Sequence, residues 1–288
     1  MSSVEIQENT DIFKCPICDS KMMLNNMKSL LCSEGHCFDL SRSGYVNFLP
    51  HPVKTEYDKY MFKSRNIISR KGFFDLMVEE ICAIILQQNY SSTDKMRIVD
   101  VGCGEGSHLN QIINILHNKR FPDSVGVGID ISKDGIQIAA KEYPKNIWCV
   151  ADLSRNPFMG KKFEVILNIL SPSNYSEFNR MISESGILLK VVPASNHLQE
   201  LRELFYDKTD KQTYSNEEVL KHFNRNFKLI NEKRLLYTVD FNNEDLRHLI
   251  NMTPLSWKVP DETIHKALTS RIDKITFDLT ILCGKKLV

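Results

Sequence analysis

Residues 96–106 read Met-Arg-Ile-Val-Asp-Val-Gly-Cys-Gly-Glu-Gly, an apolar run that ends in an acid and opens directly into three glycines. Met96 to Val101 has the length and Val/Ile content of a buried strand. The residues after the glycines place Leu109, Ile112, Ile113 and Leu116 on one helical face. The segment therefore predicts a strand, a tight turn and a helix. In such a turn the glycines at 102, 104 and 106 let the backbone approach a ligand closely, and the helix start offers free N–H groups. The pattern D-x-G-x-G-x-G, led by Asp100, is not the G-x-G-x-x-G of dinucleotide enzymes. No Gly-Lys-Ser/Thr of a phosphate loop occurs.

Outward from this turn the chain alternates strand-like and amphipathic helical runs, which predicts a doubly wound parallel sheet. Val125 to Ile129 reads as a second strand and ends in Asp130, placed to accept both hydroxyls of a ribose. Ser132 is a candidate N-cap for a helix carrying Ile136, Ala139 and Ala140. Ile147 to Val150 forms a third strand, followed by Asp152. Phe163 to Ile169 forms a fourth, which carries Asn168 and leads into Leu170-Ser171-Pro172. Ligands of open α/β sheets sit at the carboxyl ends of the strands, so residues 168–172 lie where an acceptor should arrive. Asp100 can hold the amino group of a methionine moiety, Asp130 a ribose, and Asp152 the edge of an adenine. Together they favour S-adenosylmethionine as cofactor and a Rossmann-like class I methyltransferase sheet. Asp130 as a helix cap, Asp152 as a turn residue and Asn168 as a structural side chain are the competing readings.

Upstream, a helix is expected from near Asp58 to beyond Gly72, and Phe74, Val78, Ile81 and Ile85 recur at helical spacing. Downstream, Ser215 and Glu218 have the spacing of a capping box. Two strand-like runs, Phe227 to Phe241 and Ile275 to Cys283, would complete the sheet with a reversed final strand.

A second signal lies near the N-terminus. Cys15-Pro16-Ile17-Cys18 is followed, after thirteen residues, by Cys32-Ser33-Glu34-Gly35-His36. A C-x2-C knuckle and a C-x3-H pair offer three sulfurs and one nitrogen, a closed tetrahedral set for structural zinc. Cys37 adjoins His36 and competes for the fourth position. The alternative is a redox C-x-x-C without metal. The other four cysteines (Cys82, Cys103, Cys149, Cys283) stand singly in apolar stretches, as buried thiols do.

The composition, 42% hydrophobic and 25% charged, is that of a globular protein. No run of about 18 apolar residues is present, which excludes a membrane-spanning helix. The first residues lack the pattern of a secretory signal, so a cytoplasmic location is expected. The net charge is only +1, yet residues 14–71 hold ten basic side chains against five acidic ones, leaving −4 for the remainder. That local excess suits a nucleic-acid surface as well as a solvated lysine-rich one.

The zinc knuckle, Phe38-Asp39 with Gly44-Tyr45-Val46-Asn47, the Gly102–Gly106 loop, Pro193 with His197-Leu198, and Thr253-Pro254-Leu255-Ser256-Trp257 occur in this order. In that combination, over roughly residues 13–283, the chain resembles the 23S ribosomal RNA guanine-N1 methyltransferases, a family that includes a macrolide-resistance enzyme. The resemblance implies a zinc site of Cys15, Cys18, Cys32 and His36 with Cys37 as bystander. It also implies cofactor contacts from Glu105, Gly106, Ser107 and His197. Phe74 stands where the family has a tyrosine, so ring packing is all that can remain there. The implied substrate is a hairpin loop of 23S ribosomal RNA, bound by a homodimer. Tyr45, Phe48, Tyr57 and Tyr60 are candidates for stacking a splayed base, with ribbon packing as the alternative. No residue is marked by the sequence as a general base. The expected organisation is a zinc-ribbon RNA-recognition module over 1–50, a linker and helical segment over 51–90, and the methyltransferase domain over 91–288. A small-molecule methyltransferase and a non-catalytic zinc-ribbon RNA-binding protein are the competing functions.

Overall fold

The computed structural model describes residues 2–53, 56–91, 95–206, 215–270 and 272–287. Lys54, one of the ten basic residues counted above, and the segment 207–214 lie outside them. The chain begins with helix α1 (Ser2–Glu8) and a three-stranded antiparallel sheet of β1 (Met22–Asn25), β2 (Ser29–Cys32) and β3 (Cys37–Asp39). The next strand, β4 (Tyr45–Asn47), leaves that sheet.

Two helices follow, α2 (Lys59–Arg70) and α3 (Asp75–Leu86). The single helix expected across Gly72 is therefore broken. Gly72 has φ +83°, and a Cβ there would lie 2.7 Å from the carboxylate of Asp75, so the chain turns at this residue. Phe74, Val78, Ile81 and Ile85 are all buried on the second helix or at its start.

The repeating units are β5 (Arg97–Val101), α4 (Ser107–Lys119), β6 (Val125–Asp130), α5 (Lys133–Glu142), β7 (Ile147–Val150), β8 (Phe163–Ile169), α6 (Tyr175–Met181) and β9 (Ile182–Pro193). Helices α7 (Gln199–Phe205) and α8 (Glu217–Asn226) lead to β10 (Phe227–Asp240). Helices α9 (Asn243–Met252) and α10 (Asp261–Thr269) then precede β11 (Lys274–Lys286). The main sheet has the order β10-β11-β9-β8-β5-β6-β7-β4. Strands β4 to β9 run parallel, while β11 is antiparallel to both β9 and β10. This is the class I methyltransferase sheet with its reversed strand, extended by one strand from the N-terminal module. The parallel strands are buried on both faces, which is why they read as unbroken apolar runs.

Ser132 caps α5 as expected, accepting from Gly135 N–H at 3.4 Å. The capping box does not form. The N-cap position of helix α8 is Asn216, one residue later and without a side-chain cap bond, while Ser215 Oγ accepts from Glu217 N–H at 3.3 Å; Glu218 therefore falls at the second position and pairs with Lys221 at 2.8 Å.

The ribbon is seated on the main sheet. Phe13 bridges to Phe158, and its ring lies 6.0 Å from Phe48 and 5.9 Å from Phe158. Tyr45 and Phe48 are 6% and 3% exposed, so neither can stack on RNA. Tyr60, by contrast, is exposed.

Candidate functional site

The order of the parallel strands reverses between β5 and β8, and a cavity of about 1020 Å³ opens at their carboxyl ends. Its two sides are built differently. On one side are the ends of β5, β6 and β7. Gly102 has φ +76°, and any Cβ there would sit 2.7 Å from that of Ser171 on the opposite side. Gly106 starts α4 at φ +83°, where a Cβ would meet the Trp148 ring at 2.4 Å. Only glycine lets the turn pack this closely.

Three carboxylates gather around that turn. Asp100 is 2% exposed, and its Oδ1 has no hydrogen-bond partner among the described residues. Burial pushes its carboxyl up to about 8, with Asp130 and Glu105 adding to the shift. Asp130 is fixed by backbone: Oδ2 accepts from Gly104 N–H and Oδ1 from Ser132 N–H, both at 2.8 Å. Glu105 turns toward α2, where it accepts from Asn66 Nδ2 at 2.7 Å and from Ser107 Oγ at 2.5 Å. Burial raises Asp130 and Glu105 as well, and Arg65 opposes it in both; among the described residues no such cation acts on Asp100. An uncompensated buried carboxylate at a cavity wall is built to meet a cation that arrives with a ligand.

Asp152 lines the cavity and also caps a short turn, its Oδ1 accepting from Ser154 N–H at 2.8 Å. Phe74 packs edge-on against His108 and Phe277, with ring centroids 4.9 and 5.2 Å away. His197 lies two residues before α7. Its Nδ1 accepts from Asp278 N–H at 3.4 Å, and burial pushes it down to about 4, leaving it neutral. Gly104, Gly106 and Ser107 lie behind the wall rather than on it, as does Asn168. Asn168 is fully buried. Its Nδ2 donates to Ser171 Oγ at 2.6 Å and to Pro172 O at 3.0 Å, and its Oδ1 accepts from Ser173 Oγ and Lys190 Nζ.

The second side is formed by the ends of β8 and β9. Ser171, Pro172 and Ser173 line it with Lys190, Tyr175 and Thr253 to Leu255. Leu170 holds φ +51° at the rim, a left-handed backbone uncommon for leucine and of the kind that collects at functional sites. Trp257 packs edge-on against Tyr57, 5.0 Å away, and Tyr57 in turn lines the cavity. Sequence reading missed Arg65, Asn66 and His108 on the first side and Lys190 on the second. The visible signal for Lys190 was a lone charge inside the run Ile187-Leu188-Leu189-Lys190-Val191-Val192.

In the ribbon, the ligand atoms of Cys15, Cys18, Cys32 and His36 all lie within 4.8 Å of one another. Three of the six edges are 3.7 Å for Cys18–Cys32, 3.5 Å for Cys15–His36 and 3.4 Å for Cys32–His36. Zinc bond lengths predict tetrahedral edges of about 3.7 Å between sulfurs and about 3.5 Å from sulfur to nitrogen, so these three edges fit the ion. Cys37 is exposed and turns to Asp39, outside the cluster.

A family model described as RlmA, N-terminal, a zinc ribbon, matches residues 13–56, and one described as a methyltransferase domain matches residues 92–243. A Bacillus subtilis protein provisionally named a 23S rRNA (guanine-N(1)-)-methyltransferase is 42% identical over 96% of this chain and 97% of its own. The 23S rRNA (guanine(748)-N(1))-methyltransferase of Streptomyces fradiae is 28% identical over 93% of this chain and 94% of its own.

Proposed function

This chain belongs to the family of 23S rRNA (guanine-N(1)-)-methyltransferases, and from that premise we propose that it methylates N1 of a guanine in a hairpin loop of 23S ribosomal RNA. The observation that carries the reading is the buried carboxylate of Asp100 near the end of β5, whose Oδ1 has no hydrogen-bond partner among the described residues, set between the Gly102–Gly106 turn and Asp130.

S-adenosylmethionine supplies a methyl group on a positively charged sulfonium sulfur. Asp100 suits the ammonium of its methionine portion, Asp130 the ribose hydroxyls, and Asp152 the adenine edge. Phe74 and His108 would close the wall beside them, with His197 and Phe277 beyond. Glu105, through Asn66 and Ser107, holds the turn to α2; Gly104, Gly106 and Ser107 shape that turn, and Asn168 supports the opposite side. Positioning of this kind is the main requirement for an in-line displacement.

Cys15, Cys18, Cys32 and His36 would hold one structural zinc; with all four positions taken by protein, the ion has no place for substrate. We divide the chain into an RNA-recognition ribbon (1–50), a linker and helical segment (51–90) and a methyltransferase domain (91–288). The strand β4 ties the first to the last. We take the working form to be a cytoplasmic homodimer. Among the described residues no helix is long and apolar enough to cross a membrane.

The reading is tested by incubating the purified protein with S-adenosylmethionine and a transcript of a 23S hairpin, then digesting the RNA to nucleosides. N1-methylguanosine is the expected product; a different methylated nucleoside, or none, overturns it.

A further inference from the structure

Methylating N1 of guanine requires that the N1 proton leave, and nothing described so far receives it. The two imidazoles recessed in the cavity, His108 and His197, are pushed down by burial to about 3 and about 4, so neither holds a proton well at neutral pH. Asp100 and Asp130 face the side assigned to the cofactor.

On the other side stands a group of a different kind. Lys190 is 4% exposed, and among the described residues it pairs with no carboxylate. Its Nζ lies 2.7 Å from Asn168 Oδ1, 2.7 Å from Ser173 Oγ and 3.4 Å from Ser171 O. Ser173 lines the cavity and is hydrogen-bonded to both Asn168 and Lys190. We propose that Ser173 and Lys190 form the proton-accepting pair for the acceptor N1–H, with Ser173 contacting the base and the neutral amine of Lys190 behind it. The proposal rests on the guanine-N1 reading.

The step balances. With Lys190 neutral, the Ser173 hydroxyl turns from Asn168 Oδ1 to donate to Lys190 Nζ, 2.7 Å away; the N1 proton then passes to Ser173 Oγ as that hydroxyl proton passes to Lys190 Nζ, which becomes an ammonium. The freed N1 pair forms the bond to the methyl carbon, and the pair of the broken carbon–sulfur bond stays on sulfur. The ammonium then loses its proton to solvent. Burial alone pushes Lys190 down to about 8, near the working pH, where a base is most effective.

The three oxygens around Nζ are neutral, and among the described residues no carboxylate holds the lysine charged. Strand β8 presents the neutral Asn168 and β11 places Leu282 beside it. Asp278 of β11 is taken by Arg234, and Glu177 and Arg180 of α6 close on each other. Tyr175 of α6 is itself raised by burial. Across the cavity, Glu218 of α8 pairs with Lys221, and His222 packs edge-on against Tyr175 at 4.9 Å.

The test measures kcat, and KM for S-adenosylmethionine, on the hairpin transcript from about pH 6 to about pH 9.5 for the wild type, Lys190→Arg, Lys190→Met and Ser173→Ala. Arginine keeps the charge and donors but cannot give up its proton, so a purely structural role survives in it. The wild-type kcat should rise through about pH 8. Lys190→Arg and Lys190→Met should each lose about 10²-fold or more in kcat and lose that limb, with KM for S-adenosylmethionine within about threefold. Ser173→Ala should lose roughly tenfold, since water can take its place. A Lys190→Arg enzyme with wild-type kcat and pH profile overturns the pair. So does a wild-type kcat that falls through pH 8, which would mark the ammonium as the active form. A wild type that makes no N1-methylguanosine at any pH defeats the underlying reading instead.

Discussion

The two sides of the cavity both lie at the carboxyl ends of strands, but they are made from different kinds of sequence. The side formed by β5, β6 and β7 takes its three aspartates from the last two residues of a strand or from the turn after it. Asp100, Asp130 and Asp152 each sit at such a point. The side formed by β8 and β9 depends on one buried network, in which Asn168 joins Ser171, Ser173 and Lys190 across 22 residues of chain. The aspartates of the first side are local and can be read in order. The second exists only once two strands have paired, in the register that sets Asn168 beside Lys190.

Substitutions should separate the sides. Asp130→Ala has the largest expected effect on cofactor affinity, because that carboxylate orients the turn through Gly104 and is the group we propose for the ribose hydroxyls. Losing two charge-assisted hydrogen bonds at about 1.5–3 kcal/mol each predicts a loss of at least 10²-fold in S-adenosylmethionine affinity by calorimetry. Lys190→Arg should leave that affinity nearly unchanged. Equal losses in the two variants would erase the distinction between the sides.

Replacing Cys15 and Cys18 by serine should remove the bound zinc, measured by elemental analysis, and abolish RNA methylation, while S-adenosylmethionine binding persists. Retained methylation would end the ribbon's role in recognition. Because Phe13 and Phe48 pack into the main domain, this variant should also unfold at a lower temperature.

Asn168→Asp sharpens the contrast in one residue. A carboxylate beside Lys190 favours the charged lysine and raises its pKa by a unit or more. The rising limb of kcat should then move to higher pH, roughly tenfold in rate per unit at neutrality, while cofactor affinity holds. An unmoved limb would separate Lys190 from the proton transfer.

The smallest effect is the pH dependence of cofactor binding. Asp100 is raised to about 8 in the folded protein, so it carries a proton below that pH. A cationic ligand prefers the ionised form, so binding must expel the proton. Affinity should therefore rise with pH, by at most tenfold per unit, and level off above about 8. Asp100→Asn should flatten the profile, and a profile that falls with pH would reverse the assignment.

The same contrast explains what could be read in advance. Strands β5 to β8 and the glycine turn were legible because parallel strands are apolar on both faces and the turn follows at once. The zinc cluster was legible because its ligands come as two short pairs. Lys190 was not, since one lysine in an apolar strand has no motif and its meaning depends on Asn168 and Ser173. The break at Gly72 was lost because helical spacing resumes at once in Asp75–Leu86. Tyr45 and Phe48 read as candidates for the RNA surface, but β4 leaves the ribbon to pair with β7 and carries them into the core.

The central claim is tested most directly in the cell, by measuring N1-methylguanosine in 23S ribosomal RNA from a strain lacking this protein and from the same strain with it restored. The N1 methyl blocks the pairing edge of the base, so reverse transcription stops at the modified position and locates it. The account predicts one stop that vanishes with the protein and returns with it, and that does not return with Lys190→Arg. An unchanged set of stops in the strain lacking the protein would contradict it.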